Sequence, residues 1–153
     1  MIIADSTVLI ALGNVGRLDL LPECIVPERV LEEVTKEPAK SALRKFRIFT
    51  PSDKSRKKAL EILGDEEETG DSDVVAALLD LGCAVATDDK RLRNVCRALG
   101  GKVTGTLGIL IHSVKTGKIT KDEALKILKQ LDATGFRMSV ELYERVREIL
   151  EEI

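Results

Sequence analysis

Short apolar runs alternate with amphipathic segments along most of the chain. The first run, Ile2 to Ala4, is followed by apolar residues at helical spacing up to Gly13, which predicts a strand, a turn and a helix. Further runs predict strands at residues 24–26, 47–50, 83–87 and 102–104. Strands that alternate with helices are typical of a mostly parallel sheet with helices on both faces. We therefore predict an α/β fold, a three-layer α/β/α sandwich around a central sheet of about four to five strands.

Glycine and proline mark where the predicted helices begin and end. Pro27 is suited to open a helix, which Pro38 would then stop. Gly64 ends a helix that starts near residue 54, and Gly82 ends one that starts near residue 71, with a polar loop between them. From about residue 120 the pattern predicts two amphipathic helices. No linker or repeat divides the sequence, so we predict one domain over residues 1–153 with a C-terminal helical hairpin.

The composition limits the classes of protein to consider. Hydrophobic residues make up 44% of the 153 residues and charged residues 33%, which favours a folded domain over disorder. No apolar run approaches the roughly 18 to 20 residues of a membrane span, and the N-terminus has no basic leader. We therefore expect a cytoplasmic protein with no membrane segment. The three cysteines are widely spaced and there is one histidine, so neither a disulfide framework nor a structural zinc site is indicated.

Three acidic residues directly follow predicted strands. Asp5 comes after the first strand, and Asp88 and Asp89 come after the fourth. In an open α/β sheet, ligands bind beyond the carboxyl ends of the strands, where the strand order reverses. We expect these acids to meet at that point. One of Asp88 and Asp89 is expected to cap the next helix, and we favour Asp89 as a ligand while retaining Asp88.

Two further acids are placed by helical geometry. A step of about 100° per residue puts Asp71 on the side of the apolar residues that follow it, and puts Asp73 and Asp80 on the opposite, solvent side. Helix capping is an equally good interpretation of Asp71. In the helix after Pro27, Glu33 flanks the apolar stripe, although a solvated surface glutamate is the alternative interpretation.

Acids that meet at one point repel one another unless a cation neutralises them. Carboxylates in close contact cannot all ionise without such compensation. Oxygen ligands without histidine or cysteine favour Mg²⁺ or Mn²⁺. Such an ion can lower the pKa of a bound water and orient a phosphodiester for in-line attack. A cluster of Asp5, Glu33, Asp71 and Asp89 therefore predicts metal-dependent phosphodiester hydrolysis.

These acids lie in four motifs that occur together in a known family. The motifs are IADSTVLI at residues 3–10, VPERVLEEV at 26–34, Gly70-Asp71 with Ala76 and Leu78 following, and VATDDKRL at 85–92. In this order they resemble the PIN-domain nucleases, a superfamily that includes the toxins of many toxin–antitoxin pairs. Segments 105–110 and 135–150 further resemble a PIN-like subfamily, so the resemblance covers nearly the whole chain.

The resemblance implies a compact PIN-like α/β/α domain with an acidic pocket for Mg²⁺ or Mn²⁺ and single-stranded RNA as its substrate. It matches Asp5, Glu33, Asp71 and Asp89 to the metal-binding and catalytic acids. It further implies a ribonuclease of the toxin type, with an antitoxin protein and a second copy of the chain, as a homodimer, for partners. The related subfamily often has glutamate where this chain has Asp71, and Asp73 is a competing match for the third acid.

Hydroxyl and basic side chains beside the acids are the predicted substrate contacts. The net charge of −2 gives no overall attraction for nucleic acid, so binding would depend on a local patch. Side chains of these types contact phosphate groups. The predicted substrate-binding residues are Ser6, Thr7, Thr87, Lys90, Arg91 and Arg93. A second basic cluster at residues 54–58 is interpreted as an ordinary solvated helix face.

Two other functions fit the same residues less well. Asp5 followed by Thr7 loosely resembles the haloacid dehalogenase-like phosphatases, but Thr87-Asp88-Asp89 is a poor match to their late Gly-Asp pair. The second alternative is a PIN-like module that binds RNA or protein with weak catalysis or none. The presence of all four acids argues against that module.

Overall fold

The centre of the molecule is a parallel sheet. A computed structural model describes the whole chain, residues 1–153. The sheet has five strands, and every neighbouring pair is parallel. In chain order they are β1 (Ile2–Ala4), β2 (Cys24–Pro27), β3 (Arg47–Phe49), β4 (Ala84–Ala86) and β5 (Val103–Thr104). The predicted α/β/α sandwich with a central parallel sheet is confirmed.

Helices connect the strands and continue beyond the last one. They are α1 (Ser6–Asn14), α2 (Glu28–Glu33), α3 (Ala39–Ala42), α4 (Asp53–Leu63), α5 (Gly70–Leu81), α6 (Lys90–Ala98), α7 (Thr106–Lys115), α8 (Lys121–Ala133) and α9 (Val140–Glu152). Short 3₁₀ turns lie at Leu18–Leu20 and Leu43–Lys45. The prediction that Pro38 stops the helix after Pro27 is wrong. That helix ends earlier, at Glu33, because Val34 leaves helical geometry and is buried in the core.

The strand order places the end of β1 beside the end of β4. The order across the sheet is β3-β2-β1-β4-β5, so the direction of winding reverses between β1 and β4. These two strands pair in register from Ile2 opposite Ala84 to Ala4 opposite Ala86. The backbone N–H of Asp5 donates to the carbonyl of Ala86 at 2.9 Å, which continues the ladder beyond β1. The loops that follow β1 and β4 are therefore adjacent.

Apolar side chains cover both faces of the sheet. β1 and β2 are buried along their whole length, as expected for parallel strands between two helical layers. One side of α5 packs against the sheet, and α5 also packs against α2 and α4. The C-terminal hairpin adds buried side chains to the same core, at Ala124, Ile127, Leu128, Leu131, Val146 and Leu150. None of the helices has the length and hydropathy of a membrane span.

Candidate functional site

Two threonine hydroxyls link the loops after β1 and β4 through one carboxylate. Thr7 donates to Oδ2 of Asp5 at 2.8 Å, and Thr87 donates to the same oxygen at 2.7 Å. The backbone N–H of Asp88 donates to Thr7 Oγ1 at 3.0 Å, and the N–H of Asp89 donates to Thr87 Oγ1 at 3.1 Å. The structure therefore brings Asp5 to the acidic pair that follows β4.

The other oxygen of Asp5 has no partner in the protein. Asp5 is 1% exposed, and its Oδ1 is buried without a hydrogen bond. Both neighbouring hydroxyls have used their single proton on Oδ2, so neither can serve Oδ1 as well. An unpartnered buried carboxylate oxygen is unfavourable, because it loses its hydration without replacement. Oδ1 is therefore an oxygen that a cation could bind.

Glu33 reaches the site from the last residue of α2. Its Oε1 accepts the backbone N–H of Gly70 at 2.7 Å, and its Oε2 accepts the hydroxyl of Ser6 at 3.2 Å. A Cβ atom at residue 70 would lie 2.5 Å from Cδ of Glu33, so only glycine allows this approach. The early end of α2 at Glu33 and the glycine that opens α5 together fix this carboxylate beside α1.

Asp71 stands in the first turn of α5, next to Gly70, and is not the helix cap. Thr69 caps α5 in a reciprocal capping box with Ser72. The pKa of Asp71 is raised to about 6, first by burial and then by the negative charges of Asp5, Asp89 and Glu33, whereas Arg91 lowers it. The other three predicted acids therefore lie close enough to Asp71 to affect its charge.

Asp88 and Asp89 have different roles. Asp89 caps α6 through Oδ1, which accepts the backbone N–H of Leu92 at 2.8 Å, and this leaves Oδ2 available. Both oxygens of Asp88 are bonded to Thr106, Oδ1 to its backbone N–H and Oδ2 to its hydroxyl. Asp88 therefore anchors the start of α7, and Asp89 is the acid with a free oxygen at the site.

The helical geometry predicted that Asp73 lies on the solvent side of α5, and the structure contradicts this prediction. It is 0% exposed, and its two oxygens accept a bidentate pair of hydrogen bonds from Arg56 at 3.0 Å. Its Oδ2 also accepts the backbone N–H of Arg29 in the first turn of α2. The prediction is wrong because α2 and α4 cover the side of α5 that faces away from the sheet. With both oxygens bonded to arginine, Asp73 links α5 to α2 and α4.

The predicted substrate contacts divide into accessible and buried side chains. Thr87 is 0% exposed, so its predicted contact with substrate is wrong, and its hydroxyl instead orients Asp5. Arg91 is exposed but donates to the carbonyl of Leu63 and to Asp65. Lys90 is exposed, and the half-buried Arg93 donates to the carbonyl of Thr87 at 2.9 Å.

A groove of about 870 Å³ opens beside these residues. Thr7, Asp88 and Asp89 line one end, next to Lys90 and Arg93. Phe136 and Arg137, from the loop between α8 and α9, also line the groove. These last two residues are not among the predicted site residues, because segment 135–150 contributes to the family resemblance without indicating a role for either side chain.

The donor chemistry of the site fits a hard divalent cation. The candidate ligands are all carboxylate oxygens, and one of them, Oδ1 of Asp5, is buried without a partner. No three acidic, histidine or cysteine side chains form a ready-made ligand set in the structure. Mg²⁺ commonly keeps several waters and uses only one or two carboxylates directly. The residues present therefore suit an ion that retains part of its water shell.

Two comparisons with known proteins bear on the site. A family model described as a PIN domain matches residues 1–152, which is nearly the whole chain. A search of curated proteins found no match to the chain.

Proposed function

The chain belongs to the PIN-domain family, whose members are generally nucleases, and from that premise we propose that it is a divalent-metal-dependent ribonuclease. The proposed reaction is hydrolysis of phosphodiester bonds in single-stranded RNA, with Mg²⁺ or Mn²⁺ as the cofactor. A toxin role, an antitoxin partner, a homodimer and a cytoplasmic location stay predictions from the sequence.

The observation that carries this proposal is Oδ1 of Asp5, which is buried and has no hydrogen-bond partner. It is buried at the point where the strand order reverses, within electrostatic range of Asp71, which is also affected by Asp89 and Glu33. A purely structural carboxylate would be expected to have both oxygens bonded, as Asp73 and Asp88 do here. An oxygen left bare among like charges is better explained by a cation ligand.

Asp5, Glu33, Asp71 and Asp89 are the residues that would hold the cation. When bound, the ion would stabilise charge on the phosphoryl oxygens and lower the pKa of an attacking water. The protein's part is to orient these carboxylates and hold them close together.

Orientation of the acids comes from fixed groups around them. The hydroxyls of Thr7 and Thr87 hold Oδ2 of Asp5, which directs Oδ1 away from both donors. The backbone N–H of Gly70 holds Glu33 in the same way. The exposed Lys90, next to Asp89 in the chain, is suited to bind a phosphate of the RNA.

The direct test is cleavage of a mixed-sequence single-stranded RNA. We expect cleavage with Mn²⁺ or Mg²⁺, none with EDTA, and a loss of at least about 100-fold in rate for Asp89→Asn. Asp122→Asn is the matched control, because Asp122 is an exposed acid in the first turn of α8, and it should cleave like the native protein. Metal-independent cleavage, or equal rates for Asp89→Asn and Asp122→Asn, would contradict the proposal.

A second outcome separates the alternative module from the enzyme. Native protein that binds the RNA but leaves it intact with either metal would favour a binding function. Covalent labelling of Asp5 by a phosphate donor would instead favour the aspartyl-phosphate chemistry of the phosphatase alternative.

A further inference from the structure

The groove of about 870 Å³ is continuous with the acidic site. Thr7 and Asp89 belong to both, so a chain bound at the acids would extend directly into the groove. Its volume lies within the range of about 300–1,000 Å³ that is typical of ligand sites, which leaves room for a nucleotide beside the acids. Residues of α1 and of the loop between α8 and α9 both line the groove.

Phe136 is the aromatic residue of this groove, and its place is fixed by the end of α8. Gly135 has a φ of +93°, and the N–H of Phe136 donates to the carbonyl of Leu131 at 3.0 Å. Together with the bond from the Gly135 N–H to the carbonyl of Asp132, this is a Schellman turn. Phe136 is half-buried and packs against the core, so its side chain is held at the groove wall without further ordering.

Cationic side chains line the same groove as Phe136. Lys90, Arg93 and Arg137 line it, and neither Lys90 nor Arg137 takes part in a salt bridge. A Cβ atom at Gly105 would lie 2.9 Å from Nη1 of Arg93, so this glycine makes room for the guanidinium. The groove therefore offers positive charge and one aromatic ring, whereas the adjoining site is acidic.

This combination fits one unpaired nucleotide. An aromatic ring stacks on any base, and flanking cations contact the phosphates on either side. A base within a duplex is already stacked on its neighbours and is not free to lie on a ring at a groove wall. The chain has three phenylalanines, one tyrosine and no tryptophan, so a single stacking position is consistent with its low aromatic content.

We propose that the groove is a nucleotide subsite in which Phe136 stacks on one base of single-stranded RNA and Arg137 contacts a neighbouring phosphate. The inference rests on the proposed function, since it names how the same site would hold its substrate. It assigns the α8–α9 loop, which lies far from the acids in sequence, to recognition of the unpaired strand.

The test measures binding without cleavage. Fluorescence anisotropy in EDTA gives the Kd of a labelled, mixed-sequence single-stranded RNA for the native protein and for Phe136→Leu, which keeps apolar packing but removes the ring. We expect Phe136→Leu to raise the Kd about 5- to 150-fold above the native value. Phe136→Trp, which keeps an aromatic ring, should bind with a Kd close to the native value. The thermal midpoint of each variant, within a few degrees of the native value, shows that the loop has not unfolded.

A separate readout tests the phosphate contact. For single strands each phosphate contact contributes about 0.7 to the slope of log K against log salt. Arg137→Gln should lower that slope by about this amount, whereas Lys126→Gln, an exposed charge on α8, should leave it unchanged. An unchanged slope for Arg137→Gln would overturn the assignment of that residue.

The experiments can contradict the proposed subsite and the proposed enzyme activity independently of each other. A Kd for Phe136→Leu less than fivefold above the native value, or no recovery in Phe136→Trp, would overturn the subsite even if the native protein cleaves RNA. Conversely, a stacking effect in EDTA would support the subsite even if no cleavage is found with metal.

Discussion

Replacing Asp71 by asparagine should stabilise the metal-free protein. The side chain of Asp71 makes no hydrogen bond within the chain, and burial together with the charges of Asp5, Asp89 and Glu33 raises the pKa of its carboxyl from 3.8 to about 6. Between pH 3.8 and about pH 6 the folded state therefore binds more protons than the unfolded state. Stability falls as the pH rises through that window, and the full penalty is present above pH 6. Asparagine is uncharged, so the substitution removes this penalty, and it breaks no side-chain hydrogen bond.

The expected gain follows from the size of the shift. A change from 3.8 to about 6 is about 2 pH units, or about 3 kcal/mol at about 1.4 kcal/mol per unit. Because Asp71 is half-buried and water screens part of the repulsion, we expect about 1–2 kcal/mol. For a chain of this size that corresponds to a rise in Tm of roughly 2–8 °C at pH 8. At pH 4 the gain should shrink to a small fraction of this value.

Thermal unfolding in EDTA at pH 8 and pH 4 measures both values. In excess Mn²⁺ at pH 8 the order of stabilities should reverse, because the native protein gains about 2.7 kcal/mol at a metal concentration of 100 times its Kd and the variant gains much less. Asp122→Asn, outside the site, should change little under each condition. A variant no more stable than the native protein at pH 8, or equally stabilised at pH 4, would refute the electrostatic reasoning.

Three further substitutions test the groups that position the acids. Gly70→Ala puts a Cβ against the carboxylate of Glu33 and should weaken Mn²⁺ binding at least about tenfold in calorimetry, while the far-ultraviolet circular dichroism is kept. Thr87→Val removes a donor to Asp5 without a change of volume and should cost about 1–3 kcal/mol in urea unfolding. Asp73→Ala leaves a buried arginine without its partner and should cost about 3–5 kcal/mol in the same assay.

The controls for these variants are exposed residues of the same type. Thr35→Val and Glu67→Ala alter exposed side chains and should shift the urea midpoint little. If Thr87→Val matched Thr35→Val, the role of the hydroxyl in holding Asp5 would be contradicted. If Asp73→Ala matched Glu67→Ala, the buried ion pair would not link the helices. If Gly70→Ala bound Mn²⁺ like the native protein, the close approach of Glu33 would not matter for the site.

The sequence predicts the sheet and the helices well because their ends are chemically marked. Apolar runs of three or four residues become buried parallel strands, and glycines such as Gly64 and Gly82 adopt the left-handed conformation that ends a helix. The sequence predicts too late an end for α2, because Pro38 is a recognisable helix-terminating residue and the helix in fact ends at Glu33. A buried residue such as Val34, which turns the chain into the core, carries no comparable local mark.

The acids were more difficult to place, because their environment depends on distant elements. Helical spacing gives the direction of Asp73 relative to the sheet, but it does not reveal that α4 supplies Arg56 to cover the other side of α5. The sequence predicts Thr87 as a substrate contact because it precedes two acids, yet its side chain is buried and donates to Asp5. Phe136 lines the groove through the packing of the whole C-terminal hairpin, which a local pattern does not encode.

Calorimetric titration with Mn²⁺ of the native protein and of Asp5→Asn tests the central claim most directly. Asparagine can still accept both threonine hydroxyls, but it replaces the bare oxygen by an amide group that repels a cation. We predict saturable binding to the native protein, and a Kd at least about tenfold higher for Asp5→Asn at an unchanged or raised Tm. Equal Mn²⁺ affinity in the two proteins would contradict a metal site built on Asp5.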